Sequence, residues 1–268
     1  MTGRRRGHDR YFYCRHCIAV GCDGWRLGIA TGNRQFGLGG CCLVVRFGLG
    51  VAGLVLALVP GGLTTRQIVV AVLIAVWSAR LALHIAQRSM HGPEDARYAA
   101  LRQEWGARFQ IRLFLFLQIQ AAAAALLSLS MMLAAHNPTP FPGSLDIAGV
   151  VVLIVAVAGE GIADEQLRRF KRDPSNKGRV CDAGLWGWSR HPNYFFEWLG
   201  WVAYPLLAIS ADWGWGWLAL SGPAFMYWLL VYVSGIPLLE QQMLKSRGDA
   251  FRAYQARVNA FFPLPPKE

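Results

Sequence analysis

Long apolar stretches separated by short polar segments dominate the pattern of this chain. A helix of about 20 residues crosses the roughly 30 Å hydrocarbon core of a bilayer, and six stretches are long and apolar enough to do so. They run approximately from Cys41 to Val59, Ile68 to Ala86, Ile111 to Ala135, Leu145 to Ala163, Tyr194 to Ile209 and Trp213 to Val233. The pattern therefore predicts an all-α, polytopic transmembrane helical bundle.

The region before residue 41 has room for one more short or partly inserted helix, over residues 18–36. Asp23, Arg26 and Arg34 interrupt every apolar run there. A span at this position would also place the arginine-rich residues 4–10 on the side that is poor in basic residues, against the positive-inside rule. We therefore divide the chain into an N-terminal segment, 1–40, and a membrane-embedded domain, 41–268, and leave a seventh span open.

Basic residues mark one side of the membrane. The loops 87–110 and 164–193 and the tail 235–268 are rich in lysine and arginine, whereas the loops 136–144 and 210–212 contain neither. Since cytoplasmic segments carry the excess of basic residues, the three basic segments are predicted to be cytoplasmic.

Composition supports a membrane protein and argues against two other classes. The chain has 268 residues, 54% of them hydrophobic and only 16% charged, which is unusual for a soluble domain. Its net charge of +11 lies in loops between apolar spans, so no nucleic-acid partner is predicted. Cys14 and Cys17 have the spacing of half a zinc site, but no second pair follows, and no metal site is predicted.

A few ionisable residues interrupt the predicted spans. Arg80 and His84 lie in the second span and Glu160 in the fourth, and intramembrane ionisable groups usually face the bundle interior or a polar cavity. Arg46, near the start of the first span, is better explained by a side chain that reaches the headgroups. Arg80 lies deeper in its span, and we therefore expect a functional role for it.

The predicted cytoplasmic loops carry a dense set of polar groups. Asp164, Arg168 and Lys171 are spaced by four and three residues, so they share one face of a helix that continues from the fourth span. Arg179, Arg190 and His191 add further donors. Several guanidinium groups favour the bidentate capture of phosphate, and a cofactor that carries a pyrophosphate fits this set. The alternative is binding of anionic lipid headgroups, which suits the neighbouring Arg169 and Arg172 better.

A helix start follows these basic residues, in the segment His191-Pro-Asn-Tyr194. Proline just before a helix would leave Asn193 in a position to cap it, which gives the asparagine a purely structural alternative role. Glu197 lies four residues further on and faces the same side. A carboxylate in an apolar span needs a cation or an amide as its partner, and the carboxamide of a nicotinamide ring would supply one.

Three segments resemble the steroid 5α-reductase family in its bacterial branch. They are GPEDARYAALRQEWG (92–106), the run that begins with DEQLRRFK at residue 164 and includes GLWGWSRHPNYFFE (184–197), and LLEQQMLKSRGDAFRAYQARVNAFFP (238–263). The resemblance covers roughly Ala75 to Pro263. It implies a bundle of about seven transmembrane helices that reduces a carbon-carbon double bond conjugated to a ketone, with NADPH bound on the cytoplasmic side.

The resemblance also implies site residues. By matching position, the cofactor contacts are Arg80, Asp164, Arg168, Lys171, Arg179, Asn193 and Glu197, with Arg190, His191 and Tyr194 completing the motif, and Glu240 and Tyr254 matching in the tail. Eukaryotic members have a tyrosine where this chain has Trp77, and an N-terminal glutamate for which only Asp9 and Asp23 are available. Asp23 and Tyr98 are therefore the candidate donors to the substrate carbonyl, and Glu197 orients the nicotinamide.

The expected function is the NADPH-dependent reduction of the 4,5 double bond of 3-oxo-4-ene steroids in the bacterial inner membrane. The expected partners are a hydrophobic enone substrate and membrane lipids, and the sequence sets no oligomeric state, although a monomer is compatible with it. Sterol or enoyl-lipid reductases of the same superfamily remain alternatives. So do isoprenylcysteine-type methyltransferases, which have a similar Arg-His-Pro-x-Tyr helix start and bind S-adenosylmethionine. A transporter would need polar groups open to both sides, whereas the ionisable residues are expected to cluster at one end of the spans.

Overall fold

A computed structural model describes residues 50–55, 57–59, 63–89 and 109–267 of the chain. These residues form six named α-helices and no β-strand. The helices are α1 (Thr65–Ser89), α2 (Phe109–Ala135), α3 (Ser144–Arg172), α4 (Pro192–Ala208), α5 (Ser221–Trp228) and α6 (Ile236–Arg257). The predicted all-α class is confirmed.

Three helical runs within the described ranges are long and apolar enough to cross a membrane. They are Gln118–Ala135, Ser144–Arg172 and Gly214–Arg257, and they indicate a membrane protein. Helices α1 and α4 coincide with the second and fifth predicted spans. Of the first predicted span, residues 50–55 and 57–59 are described, and all of these but Val59 are helical. The suggested seventh span lies outside the described residues.

The sixth predicted span is not one regular α-helix. It begins as a 3-10 helix over Gly214–Leu220, continues as α5, and ends in a π-helical turn over Leu229–Val233. Gly216 lies against the carbonyl of Ala208, where an added Cβ would overlap the backbone oxygen. The glycine thus permits the close return of the chain after α4.

Helices α3 and α4 pack antiparallel through small residues. A Cβ at Gly149 would lie 2.8 Å from the side chain of Leu207, and one at Gly159 would overlap the ring of Phe196. Gly200 on α4 faces α3 in turn, and a Cβ added there would lie at ordinary contact distance from Leu153 and Ala156. Small residues let helix backbones approach closely in a membrane. Since Gly159 lies beside Phe196, this packing brings the following residue of each helix, Glu160 and Glu197, to one level.

The core of the bundle lies between α1, α2 and α4. Ile74, Met131 and Leu127 are fully or almost fully buried, and they belong to one cluster with Trp201. The edge of Trp77 meets the indole of Trp201 with ring centroids 5.5 Å apart. The apolar interior of the bundle therefore reaches α4 at its middle turns.

A buried ion pair lies at the end of the bundle that carries residues 136–143. Arg66 and Asp146 pair with each other while 3% and 4% exposed. Arg66 also donates to the carbonyls of Leu207 (2.9 Å) and Thr139 (3.3 Å), and Asp146 accepts from the backbone N–H of Gly143 at 2.8 Å. We call these five residues the Arg66 network. The expectation that ionisable residues cluster at only one end of the spans is therefore wrong, because this pair lies at the other end. Sequence analysis missed it because Arg66 lies before one span and Asp146 at the start of another, and nothing in the sequence indicates that the two pair.

Candidate functional site

The start of α4 differs from the sequence prediction in one respect. The cap residue is His191, with φ −137° and ψ 59°, and Pro192 is the first helical residue. Proline suits that position because its fixed φ is already helical. Asn193 is then the second helical residue, so the alternative structural role considered for it, that of helix cap, belongs to His191 instead. Its side chain is partly exposed and makes no hydrogen bond within the described part of the chain.

Glu197 lies one turn further along α4, on the face of Asn193. It is 8% exposed, and its Oε2 atom has no hydrogen-bond partner among the described residues. A buried carboxylate oxygen without a donor is costly. The pair therefore presents an amide and a carboxylate on one face of α4, both with unused hydrogen-bonding capacity.

Three carboxylates and one arginine meet between α1, α3 and α4. Arg80 pairs with Glu160, and its Nη1 atom lies 3.7 Å from Oδ2 of Asp164. Glu197 lies at the level of Glu160 on the neighbouring helix, because Gly159 packs against Phe196. We call Arg80, Glu160, Asp164 and Glu197 the acidic cluster. Sequence analysis found three of its members as site residues, and noted Glu160 only as a polar exception in its span.

The predicted phosphate-binding cations lie at the same end of the bundle but are mostly exposed. Because α3 is helical through Arg172, Asp164, Arg168 and Lys171 share a helix face as predicted. The side chain of Arg168 is 51% exposed and donates from Nε to Glu165 at 2.6 Å. Arg179 is exposed, and its Nη1 atom lies 3.5 Å from Oδ1 of Asn176. The structure thus brings Arg80, Asp164 and Glu197 together and leaves these cations at the surface.

Arg190 and His191 contact the C-terminal helix. The Nε atom of Arg190 donates to Oε1 of Glu240 at 2.7 Å, and its Nη1 atom donates to the carbonyl of Val258 at 2.5 Å. Nε2 of His191 lies 3.1 Å from the same Glu240 oxygen, while Gln255 donates to the other oxygen at 2.7 Å. We call Arg190, His191, Glu240 and Gln255 the C-terminal clamp. A direct cofactor contact for Arg190, His191 and Glu240 stays a prediction.

Burial determines the protonation state of His191. Burial lowers the pKa of His191, and the Glu240 carboxylate opposes this shift only in part. The imidazole is therefore neutral at pH 7 and donates its Nε2–H to Glu240. The ring of Tyr194 stacks on that of His191 at 5.6 Å between centroids, so Tyr194 is held at the helix start as well.

The chain after α6 fastens the loop that precedes α4. The N–H of Arg190 donates to the carbonyl of Asn259 at 2.8 Å, and the hydroxyl of Ser189 donates to the carbonyl of Phe261 at 2.9 Å. The hydroxyl of Tyr254 donates to the carbonyl of Trp186 at 2.5 Å. Tyr254, which the resemblance matched only in position, therefore supports the loop.

The two predicted donors to the substrate carbonyl, Tyr98 and Asp23, lie outside the described residues. An open groove of about 550 Å³ runs along another face of α3, and none of the predicted site residues lines it. Sequence reasoning missed Tyr204, which is 2% exposed and whose hydroxyl has no partner among the described residues. Its only sign in the sequence is a spacing of seven residues from Glu197, which is two helical turns.

Comparison with known proteins places the chain in a family. Residues 43–258 match a family described as a protein of unknown function, DUF1295, and the chain belongs to this family, which is associated with steroid 5α-reductase-like proteins. An uncharacterized protein of Schizosaccharomyces pombe is 28% identical over 228 residues, covering 74% of this chain. The match spans 63% of that relative's length. No solved structure matches the chain.

Proposed function

We propose that this protein is an integral membrane reductase that uses NADPH to reduce a carbon-carbon double bond conjugated to a ketone. The 4,5 double bond of 3-oxo-4-ene steroids is the proposed target. Membership in a family associated with steroid 5α-reductase-like proteins supports this class. The substrate would be a hydrophobic enone that reaches the bundle from the surrounding lipid.

One observation carries the proposal. Asn193 and Glu197 lie one turn apart on α4, Oε2 of Glu197 has no hydrogen-bond partner among the described residues, and the acidic cluster is at the end of the bundle where the exposed cations lie. A carboxamide has an N–H₂ donor for a carboxylate and a carbonyl acceptor for an amide. The two side chains therefore fit the carboxamide of a nicotinamide ring, and the cations fit its phosphates.

The protein's own residues would bind and orient the reactants. Glu197 would accept from the carboxamide N–H₂ and Asn193 would donate to its carbonyl, which fixes the face that the ring presents. Lys171 and Arg179 would contact phosphate groups at the surface. Bound NADPH would supply the hydride, which is chemistry that the cofactor brings to the site. Arg80 would hold Glu160 and Asp164 in place beside Glu197.

The proposal includes a location. The basic segments around α3, α4 and α6 would face the cytoplasm, and the chain would cross the bacterial inner membrane several times. NADPH would then reach the site directly from the cytosol.

An S-adenosylmethionine-dependent methyltransferase is the second candidate. One observation favours it: Arg168 and Arg190, two of the cations assigned to phosphate, are already paired with Glu165 and Glu240. S-adenosylmethionine carries no phosphate and needs no such cations. Reductases of sterols or enoyl lipids share the cofactor of the first candidate and differ only in the lipid substrate.

Purified protein in detergent separates these candidates. We expect absorbance and mass spectrometry to find a bound nicotinamide nucleotide, and we expect NADPH oxidation in the presence of a 3-oxo-4-ene steroid. A panel of sterols, enoyl lipids and other enones then defines the substrate class. Binding of S-adenosylmethionine with no binding of NADPH would refute the reductase proposal.

A further inference from the structure

Four polar or amphipathic side chains form a line along α4. Asn193, Glu197, Trp201 and Tyr204 are spaced by four, four and three residues, so they lie on one face of the helix. At a rise of 1.5 Å per residue, Tyr204 lies about 10 Å deeper along the helix axis than Glu197. We call these four residues the α4 stripe. It runs from the polar end of the bundle into its apolar core.

Three members of the α4 stripe have buried polar atoms without a partner. Oε2 of Glu197, Nε1 of Trp201 and the hydroxyl of Tyr204 make no hydrogen bond with any described residue. Trp201 and Tyr204 are each 2% exposed, so bulk water does not satisfy them. Leaving one such group unpaired costs about 1–3 kcal/mol, which is a large expense for adjacent positions on one face.

Several other buried donors of the bundle are satisfied by backbone carbonyls, although the hydroxyls of Ser78, Ser128 and Ser221 have no partner within the described ranges. The hydroxyl of Ser130 donates to Ala219 at 2.9 Å, and the indole of Trp186 donates to Ala163 at 3.0 Å. The indole of Trp186 and the hydroxyl of Tyr254 thus both find a backbone acceptor, whereas Trp201 and Tyr204, which are neighbours on one helix face, find none in the described part of the chain. The unpaired indole N–H and phenol O–H of the α4 stripe point to a ligand oxygen as the missing acceptor.

The surroundings of Tyr204 favour a ligand that is apolar except for one acceptor. The ring packs on Trp201 at 5.6 Å between centroids, and both belong to the core cluster with Ile74 and Leu127. A charged ligand group would be costly in this environment. A ketone oxygen on a hydrocarbon frame is not, provided that a donor meets it.

We propose that the Tyr204 hydroxyl is the hydrogen-bond donor to the substrate's carbonyl oxygen, with the Trp201 indole N–H as the second donor. This inference rests on the proposed function. Glu197 and Tyr204 lie about 10 Å apart along one face of α4, so a nicotinamide ring held at Glu197 and an enone carbonyl held at Tyr204 would meet on that face, with reacting atoms about 3–3.5 Å apart. Trp201 alone could donate but could not take up and release a proton, whereas a phenol can.

Tyr204 would act where charge develops. As a hydride forms the new C–H bond at the β-carbon, the carbon-carbon π bond breaks and its electrons move to the carbonyl oxygen, which becomes an enolate oxygen. Tyr204 and Trp201 donate to that oxygen, and a proton from solvent then completes the α-carbon and restores the ketone. The enone is reduced by two electrons, and NADPH is oxidised to NADP⁺.

Tyr204→Phe tests this assignment, because it removes only the hydroxyl and keeps the ring. Loss of one donor to a developing oxyanion lowers turnover by about 100- to 1,000-fold. We expect that loss in single-turnover reduction of a 3-oxo-4-ene steroid, with the NADPH dissociation constant within about twofold of wild type. Tyr232→Phe is the matched control, because Tyr232 is 65% exposed, and it should be unchanged.

Each outcome separates the inference from the function on which it rests. If Tyr204→Phe reduces the steroid at the wild-type rate with NADPH bound, the donor assignment is overturned and the reductase proposal stands. If wild type neither binds NADPH nor reduces any enone, the proposed function fails. Fluorotyrosine at position 204 keeps the ring and the hydroxyl but makes the hydroxyl a stronger hydrogen-bond donor: a changed single-turnover rate with unchanged NADPH binding supports the assignment, and an unchanged rate overturns it.

Discussion

Two buried groups of charges lie at opposite ends of the same bundle, and they differ in their balance of charge. In the Arg66 network one arginine meets one carboxylate, and both Nη atoms of Arg66 are hydrogen-bonded, while its Nε has no partner among the described residues. In the acidic cluster three carboxylates share Arg80, and Glu197 keeps an unpaired buried oxygen. A balanced network joins helices, whereas an unbalanced one costs stability and is expected where a ligand completes it. The first network is therefore interpreted as structural and the second as functional.

Removing the carboxylate of the Arg66 network gives the largest expected effect. Asp146→Ala leaves a buried arginine unpaired at the junction of α1, α3 and the end of α4, and breaking a buried ion pair costs about 3–5 kcal/mol. Thermal unfolding in detergent should show a large loss of stability. Asp249→Ala is the control, because that carboxylate is 96% exposed. Normal stability together with lost activity would reverse the structural interpretation of Arg66 and Asp146.

Removing the side chain of Glu197 or Asn193 should have the opposite result, a large loss of activity with little loss of stability. Glu197→Ala and Asn193→Ala are expected to lower NADPH-dependent turnover at least about 100-fold, which corresponds to about 2.7 kcal/mol. Thermal stability should be unchanged or higher for Glu197→Ala, because the variant removes a buried, incompletely paired charge. Turnover and unfolding are measured on the same preparations. Variants that unfold but keep their activity per folded molecule would show that the acidic cluster is structural.

Weakening the C-terminal clamp should have an intermediate effect on activity, because the clamp positions the start of α4. Glu240→Gln weakens the contacts that hold Arg190 and His191 at the start of α4, and we expect the Michaelis constant for NADPH to rise about tenfold, or 1.4 kcal/mol. The turnover number should change less, because Glu240 contacts Arg190, His191 and Gln255 and would act on the site only through their position. Gln241→Ala, on the exposed face of the same helix, is the control. A collapse of turnover with an unchanged Michaelis constant would mean that Glu240 takes part in the chemistry.

The apolar pattern predicted the helices well, and spacing predicted contacts within one helix. Asn193 and Glu197 share a face, and so do Asp164, Arg168 and Lys171, because both sets lie on regular helix. Contacts between helices could not be predicted from the sequence. The pairing of Arg66 with Asp146 spans 80 positions of the chain, and it depends on helix packing that no local pattern contains.

The roles of single arginines were also not settled by the sequence. Sequence analysis assigned Arg168, Arg179 and Arg190 to the same phosphate-binding set. In the structure their environments differ. The side chain of Arg190 is 12% exposed and paired with Glu240, while that of Arg168 is 51% exposed. Burial and pairing depend on where α6 docks, and so they required the structure.

Arg179 gives the smallest expected effect and tests the phosphate site alone, because a contact of its backbone carbonyl, and not of its side chain, holds the loop. Its carbonyl accepts from Nε of Arg247 at 2.8 Å, so Arg179→Ala should leave the loop in place. If the guanidinium contacts the ribose phosphate, the Michaelis constant for NADPH should rise about fivefold, the scale of a solvent-exposed ion pair. That for NADH should stay constant, because NADH lacks the phosphate.

The matched control for Arg179 is Arg172→Ala, which removes another exposed cation from the same end of the bundle. Its effect should be small and equal for the two nucleotides, since Arg172 is expected to face lipid headgroups. Steady-state kinetics with both nucleotides measures the ratio directly. Equal rises for NADPH and NADH in the Arg179 variant would remove this arginine from the phosphate site, and would leave the acidic cluster to be tested without it.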